Sequence, residues 1–382
     1  MQFYLIAGEP SGDALGAALM AGLKQLLPDA EFHGVGGPLM QAQGLNSQFA
    51  MDELSVMGIM EVLPKYRALK RRIAECAAAV LHLKPAALIT IDSPDFCLRV
   101  AKLVKAASDI KTIHYVAPSV WAWRPGRADK MARVIDHVLA LLPFEPPLMQ
   151  AAGMRCDFVG HPVVSAPVAS LTDKADFRTR HGIADAPLML ILPGSRRGEV
   201  TRLMPTFGAA LQMILQRRPD LRVVLPAAGA VAALVQDLVA DWPIQPILLD
   251  PNELGPEAAA QKRSAFAAAD VALAASGTVS LELAAANTPM VIAYDMNWVS
   301  RILISRMLKV DTVTLVNLVS DSRVVPEFLG KDCRPDSIAS GVLAVLETPD
   351  QQNAAMALTM QRLGRDNEAP GLRAARAVLH AL

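Results

Sequence analysis

The chain reads as an α/β protein made of two Rossmann-like, doubly wound domains facing a central cleft, with a helical tail at the C-terminus. Three observations predict this. Short apolar runs of strand length alternate with helical patterns in two successive series; the alternation lapses between about 160 and 186 into Pro, Ser, Thr and charged residues; and residues 335–382 read as helices only. A length of 382 residues accommodates two domains, each with its own core. The expected division is a first α/β domain at 1–165, a second at 166–340, and helices at 341–382. These last helices pack back on an N-terminal domain, their own or a partner's.

In the first series the expected strands are 2–7, 31–35, 86–91, 111–116 and 136–141, and the helices 13–27, 64–83, 95–107 and 126–134. In the second, strands fall near 187–192, 221–225, 246–249, 270–275, 289–294 and 312–316. Alternation of this kind builds parallel sheets with right-handed crossovers, and such sheets bind ligands beyond the carboxyl ends of their strands. The loops that follow strands are therefore where chemistry is expected.

The loop after the first strand, Ala7-Gly8-Glu9-Pro10-Ser11-Gly12-Asp13, offers Ser11 or Asp13 as a cap for the next helix, and Glu9 and Ser11 are candidates for the cleft. It lacks the Gly-x-Gly-x-x-Gly spacing of a dinucleotide fold, as does Gly34-Val35-Gly36-Gly37, so NAD is not supported; no Walker A pattern occurs. After the third strand, Ser93, Pro94 and Asp95 are explained by helix capping and the helix dipole, but Asp92 is not. A carboxylate at a strand's carboxyl end is the leading general base for an attacking hydroxyl, the alternative being a hydrogen bond to a neighbouring loop.

The fourth strand runs into His114-Tyr115-Val116-Ala117-Pro118-Ser119-Val120-Trp121-Ala122-Trp123-Arg124. Trp121 and Trp123, two of four tryptophans, with Arg124 beside them, suit stacking on a sugar and holding a phosphate; a packed aromatic loop is the alternative. His114 is open to reading as a base or as a hydrogen-bonded core residue.

In the second series, Leu192-Pro193-Gly194-Ser195-Arg196-Arg197-Gly198-Glu199 only superficially resembles a nucleophile elbow. Arg196 reads instead as a cation for a diphosphate leaving group, with Ser195 capping the helix. The stretch from Asp270 to Tyr294 reads as strand, tight loop, helix, strand, with Ser276-Gly277-Thr278 as the turn. Small residues let backbone approach a phosphate at a helix N-terminus, and Glu282 is placed to take ribose hydroxyls. Together these motifs point to a nucleotide diphosphate. No Asp-x-Asp pair or His-x-x-x-His spacing occurs, so neither a metal nor any other cofactor is expected.

Net charge is zero, with 37 basic and 37 acidic residues, which gives no global pull toward nucleic acid. Four dispersed cysteines without a CxxC pair fit a reduced cytoplasmic protein. No export signal is evident, and no apolar stretch reaches the roughly 18 residues of a spanning helix. The segment 60–73 is the local exception to neutrality. Met60, Val62, Leu63, Tyr66, Leu69 and Ile73 recur at roughly helical spacing among Lys65, Arg67, Lys70, Arg71 and Arg72, which fits either an anionic membrane surface or a helix covering the sheet.

With these motifs in place, the sequence resembles the lipid-A-disaccharide synthase family along nearly its whole length. The carriers are Ala7 to Asp13, Ser55-Val56-Met57-Gly58 with Glu61-Val62-Leu63, Ile91-Asp92-Ser93-Pro94-Asp95-Phe96, Pro118 to Arg124, Leu192 to Arg196, and Ala275-Ser276-Gly277-Thr278. The resemblance implies a GT-B type fold and inverting transfer from UDP-2,3-diacylglucosamine to 2,3-diacylglucosamine 1-phosphate (lipid X), giving a β-1′,6-linked disaccharide 1-phosphate and UDP. It makes Asp92 the base for the acceptor 6-hydroxyl, Arg196 an essential donor contact and Asn317 a further cleft residue. It also implies a membrane-docking patch on 60–73, joined by Leu203, on the cytoplasmic face of the inner membrane, and a homodimer that exchanges C-terminal parts. Two competing readings keep the fold: another UDP-sugar enzyme, an epimerase or a peptidoglycan-type UDP-GlcNAc transferase, and a non-enzymatic UDP-sugar-binding protein.

Overall fold

A computed structural model describes residues 1–54, 59–124, 126–296 and 310–382, with all side chains in these ranges except those of 59–66. The chain divides into two compact units, Met1–Ser165 together with Leu363–Leu382, and Ala166–Arg362.

The first unit runs β1 (Gln2–Ala7), α1 (Pro10–Leu26), β2 (Glu31–Val35), α2 (Pro38–Ala42), β3 (Asn46–Ser47), α3 (Ile59–Leu83), β4 (Ala87–Ile91), α4 (Pro94–Ala107), β5 (Lys111–Tyr115), α5 (Arg127–Ala132), β6 (His137–Ala140), α6 (Pro146–Ala151) and β7 (Arg155–Phe158). The strands form one parallel sheet in the order β3-β2-β1-β4-β5-β6-β7. Central strands such as β4 are buried along their whole length, which is why they read as unbroken apolar runs. The edge strand β7, Arg-Cys-Asp-Phe, carries no such run and was not expected from sequence.

Each face of this sheet has its own core. Val100 and Val104 of α4 and Ile73 and Val80 of α3 pack with Leu88 and Val138 on one face. Leu19 and Leu23 of α1 pack with Leu5 and Ile89 on the other. The first helix is not capped as the sequence implied. Asp13 lies inside α1, buried, and accepts from the backbone N–H groups of Gly37, Leu39 and Met40 at 2.9–3.0 Å, so it fixes the start of α2.

The second unit runs α7 (Leu171–Arg180), β8 (Leu188–Leu192), α8 (Arg197–Arg217), β9 (Arg222–Pro226), α9 (Ala232–Val239), β10 (Ile247–Leu249), α10 (Pro251–Leu254), α11 (Ala258–Ala268), β11 (Val271–Ala274), α12 (Val279–Ala285), β12 (Met290–Tyr294), α13 (Leu315–Ser320), β13 (Glu327–Leu329), α14 (Pro335–Glu347) and α15 (Asp350–Arg362). Its parallel sheet has the order β10-β9-β8-β11-β12-β13. The strand expected at 312–316 is absent. Glu327 accepts from the N–H groups of Val313 and Thr314 and from the Thr314 hydroxyl, Thr314 begins α13, and β13 takes the place beside β12. Tertiary hydrogen bonding overrides the β-propensity of Thr-Val-Thr-Leu-Val there.

The C-terminal helices are shared between the units. Gln352 on α15 exchanges two hydrogen bonds with the Met290 backbone, 2.8 and 3.0 Å, which ties α15 to β12. The helical return to the first unit expected from 341 therefore begins only at Leu363. The last helix, α16 (Pro370–Ala381), lies on α1 so closely that a Cβ on Gly22 would stand 2.6 Å from the Gly371 carbonyl oxygen, and one on Gly371 2.5 Å from that of Ala18. Arg373 anchors α16 further, donating to the Phe158 carbonyl at 2.8 Å.

Candidate active site

In both sheets the strand order reverses between the first strand and the fourth of its unit: β1 neighbours β4, and β8 neighbours β11. At such a reversal the two following helices leave on opposite faces, and their loops diverge to leave a crevice. The loops after β8 and β11 occupy the second of these crevices.

In the second unit the loops after β8 and β11 line a cavity of about 470 Å³. Gly194, Ser195, Arg196, Ser276, Gly277, Thr278 and Glu282 all border it. Arg196 is the N-cap residue of α8, without a side-chain cap, and its own side chain is 68% exposed with one pairing, to Glu199 at 3.2 Å. Ser195 is exposed and does not cap the helix as expected, so the first N–H groups of this 21-residue helix keep no side-chain acceptor. Gly194 holds φ +105, and a Cβ on it would strike Glu199 at 2.6 Å. Glu199 also accepts from the Tyr294 hydroxyl at 3.4 Å; burial first, then the charge of Glu199, pushes the Tyr294 phenol up.

Glu282 projects from α12 and pairs with Lys262 of α11 at 2.6 Å, both about half exposed at the cavity edge. Neither Lys262 nor Glu199 was singled out from sequence. Lys262 lies in an ordinary polar stretch of helix, and only the fold brings it opposite Glu282. Asn317 does not border the cavity. Its side chain is buried, donating to the Val325 carbonyl at 3.0 Å and accepting from the Val325 N–H at 3.0 Å, so it closes the turn after α13 rather than facing a ligand.

In the first unit, Asp92 and Ser93 follow β4 with φ +50 and +43, and Val116 follows the neighbouring β5 with φ +88. Left-handed conformations at three non-glycine residues, one of them β-branched, cost on the order of 1–3 kcal/mol each. Asp92 borders a cavity of about 200 Å³ with His114, Val116, Ser119 and Arg127. Its N–H donates to the Tyr115 carbonyl at 3.0 Å, which fixes the backbone while no hydrogen bond holds the carboxylate to a neighbouring loop among the described residues.

His114 is buried, with Nδ1 2.7 Å from the Thr90 hydroxyl, and burial pushes it down to about 4, so it is neutral near pH 7. That is the hydrogen-bonded core histidine of the two readings. Trp123 is flanked by Arg124 and Arg127, whose guanidinium carbons lie 4.5 and 5.8 Å from its ring, and Trp121 packs edge-on against Phe144 at 5.4 Å. None of Trp121, Trp123 and Arg124 borders the Asp92 cavity. Ser11 is exposed in the first turn of α1, and Glu9 borders a different chamber.

The docking residues divide differently. The side chains of Met60, Val62, Leu63 and Tyr66 lie outside the described residues. Leu69 is partly buried against the core. Leu203 is fully buried among Met189, Phe207 and Leu273, so it belongs to the core of the second unit and to no exposed patch. No helix of the described residues is long and apolar enough to cross a membrane.

Two doubly wound parallel sheets, the second with a cavity at its switch point, define an α/β protein of the GT-B type. The UDP-GlcNAc 2-epimerase of Neisseria meningitidis, solved with UDP-GlcNAc bound, has this fold, with TM-score 0.63 and 11% identity over 100% of this chain and 99% of that one. So does MurG of Acinetobacter baumannii, with TM-score 0.55 and 15% identity over 94% of each. The chain belongs to the lipid-A-disaccharide synthase family: the family model described as lipid-A-disaccharide synthetase matches residues 3–379, and the lipid-A-disaccharide synthase of Ruegeria pomeroyi is 65% identical over 100% of this chain and 96% of its own length. It is thus a glycosyltransferase of lipid A biosynthesis, and its likeness to the epimerase is one of fold alone.

Proposed function

We propose that the chain transfers 2,3-diacylglucosamine from UDP-2,3-diacylglucosamine to the 6-hydroxyl of 2,3-diacylglucosamine 1-phosphate, with inversion. The observation that carries this reading is the convergence of Gly194, Ser195, Arg196, Ser276, Gly277, Thr278 and Glu282, from three separate sequence signals, on one cavity of the second unit. A nucleotide diphosphate suits that cavity. Arg196 and the uncapped start of α8 supply positive charge for the diphosphate, and the Glu282 carboxylate, once shared between Lys262 and ligand, accepts from ribose hydroxyls.

Asp92 takes the proton of the acceptor 6-hydroxyl as that oxygen attacks the anomeric carbon. The electron pair of the breaking bond leaves with UDP, and the charge that develops on the diphosphate is met by Arg196. Asp92 borders the cavity on a left-handed turn, whereas His114 is buried and burial holds it down to about 4, a weak base, which supports Asp92 over His114. The enzyme works as a peripheral protein on an anionic membrane, on the cytoplasmic face of the inner membrane. Arg67 and Lys70, exposed on α3, provide attraction there.

Replacing Asp92 by Asn tests the assignment. Turnover should fall by about 10²–10⁴ while UDP affinity stays at the wild-type value, because a general base acts mainly in the transition state. Wild-type turnover in Asp92→Asn removes Asp92 from that role.

A further inference from the structure

A second cavity of the first unit, about 370 Å³, lies between α3 and α4 and is not used by the proton transfer just described. Its apolar wall is made of Leu54, Leu69, Ile73 and Phe96. Leu54, Ile73 and Phe96 keep 7–9% of their surface open, which places them at the margin of the core facing the chamber. The rim carries Lys70 and Arg99, opposed by Glu9 and Asp95, so its formal charges sum to zero among the described residues. A rim of that kind does not select for charge. The apolar wall decides what the chamber takes.

Two features of position narrow the occupant. Pro94 borders both this chamber and the Asp92 cavity, so the two are separated only by the turn from Asp92 to Pro94. Leu69, Lys70 and Ile73 belong to α3, the helix whose earlier residues carry the basic amphipathic pattern. We infer that this chamber is an acyl-chain subsite: it takes one fatty acyl chain of the acceptor sugar, which thereby brings the acceptor hydroxyl to Asp92 and sets the chain length the enzyme prefers. The inference rests on the acyl-sugar transfer proposed above. A 2,3-diacylated sugar presented at Asp92 carries its acyl chains on the 2-nitrogen and the 3-oxygen of the ring, and a chain leaving the ring past Pro94 meets apolar surface instead of water.

Each methylene buried on binding improves kcat/KM by about fourfold until the chamber is filled. The test is a series of synthetic acceptors with progressively longer acyl chains, each assayed without detergent and below its critical micelle concentration, with wild type, Leu69→Trp and Leu69→Ala. The ratio of kcat/KM for long-chain over short-chain acceptors is read within each enzyme, so a smaller folded fraction or weaker surface docking cancels. Leu69→Trp fills the chamber and should lower that ratio at least tenfold, with the optimum moved to shorter chains. Leu69→Ala enlarges the chamber and should move the optimum to longer ones. Product in all three enzymes with the same ratio overturns the subsite and leaves the transfer reading standing. No disaccharide with any acceptor in the wild type overturns the transfer reading, and the subsite with it.

Discussion

Gly194→Ala should weaken nucleotide binding by reshaping the loop after β8. Gly194 holds φ +105, a conformation that costs an L-residue on the order of 1–3 kcal/mol. The new methyl would also stand 2.6 Å from Glu199 Oε2 and 3.1 Å from Glu199 Cβ. The carboxylate end can swing aside, but the Cβ is fixed in the first turn of α8, so the loop or the helix start must move. Swinging Glu199 away releases Arg196 and Tyr294, a loss of about 0.2–1 kcal/mol for an exposed pair. The sum, about 1–4 kcal/mol, weakens UDP by roughly fivefold or more if the loop carries the whole cost, and by about twofold or more if half is absorbed elsewhere. Calorimetric titration with UDP measures this, alongside thermal unfolding. Gly198→Ala is the control: a Cβ there meets nothing within 4 Å, and alanine favours the helix, so UDP affinity should stay within twofold. Wild-type UDP affinity and an unchanged melting temperature in Gly194→Ala would refute the reasoning about this loop.

Two further outcomes follow from charged groups. Arg72 does not serve a membrane surface: its guanidinium donates to Glu53 and Glu75 at 2.8–2.9 Å and lies 4.4 Å over the Phe49 ring. Arg72→Ala should therefore lower the melting temperature and leave binding to anionic vesicles intact, whereas Arg67→Ala and Lys70→Ala should each weaken vesicle binding about fivefold at low salt. Flotation with vesicles at two salt concentrations separates the two. Glu145 is buried, and burial pushes its carboxyl up to about 7 from the ordinary 4.5, against the opposing N–H of Leu142 and the Trp121 indole. Between pH 4.5 and 7 the folded chain holds a proton that the unfolded chain releases, so this group alone makes stability fall as pH rises through that window, by roughly 3 kcal/mol in all. His114, pushed down to about 4, acts with the opposite sign, losing stability as pH falls below 6.5. The difference in unfolding free energy between wild type and Glu145→Gln isolates the first effect and should narrow toward low pH.

The alternation of strands and helices was legible because parallel strands buried on both faces must be apolar throughout, as Leu188–Leu192 and Ala87–Ile91 are. The second sheet's cavity was legible for the same reason: the loops that end β8 and β11 are recognisable by their small and capping residues, and adjacency of the two strands brings them together. Where the reading failed, the deciding contact was remote in sequence. Leu203, which the resemblance assigns to the docking patch, is enclosed with Met189 of β8 and Leu273 of β11. Asn317 is spent on Val325, and Asp13 caps α2 rather than α1. Lys262 meets Glu282 across 20 positions. Periodicity carries no information about such pairs, and the left-handed backbone at Asp92 and Val116 has no marker in residue type, since neither is glycine.

The most direct test of the proposed transfer is UDP release by the purified chain given UDP-2,3-diacylglucosamine, with and without 2,3-diacylglucosamine 1-phosphate, with mass analysis of the lipid product. The account predicts acceptor-dependent UDP release and a disaccharide 1-phosphate. UDP-2,3-diacylglucosamine that binds while neither UDP nor disaccharide appears in the presence of the acceptor would contradict it.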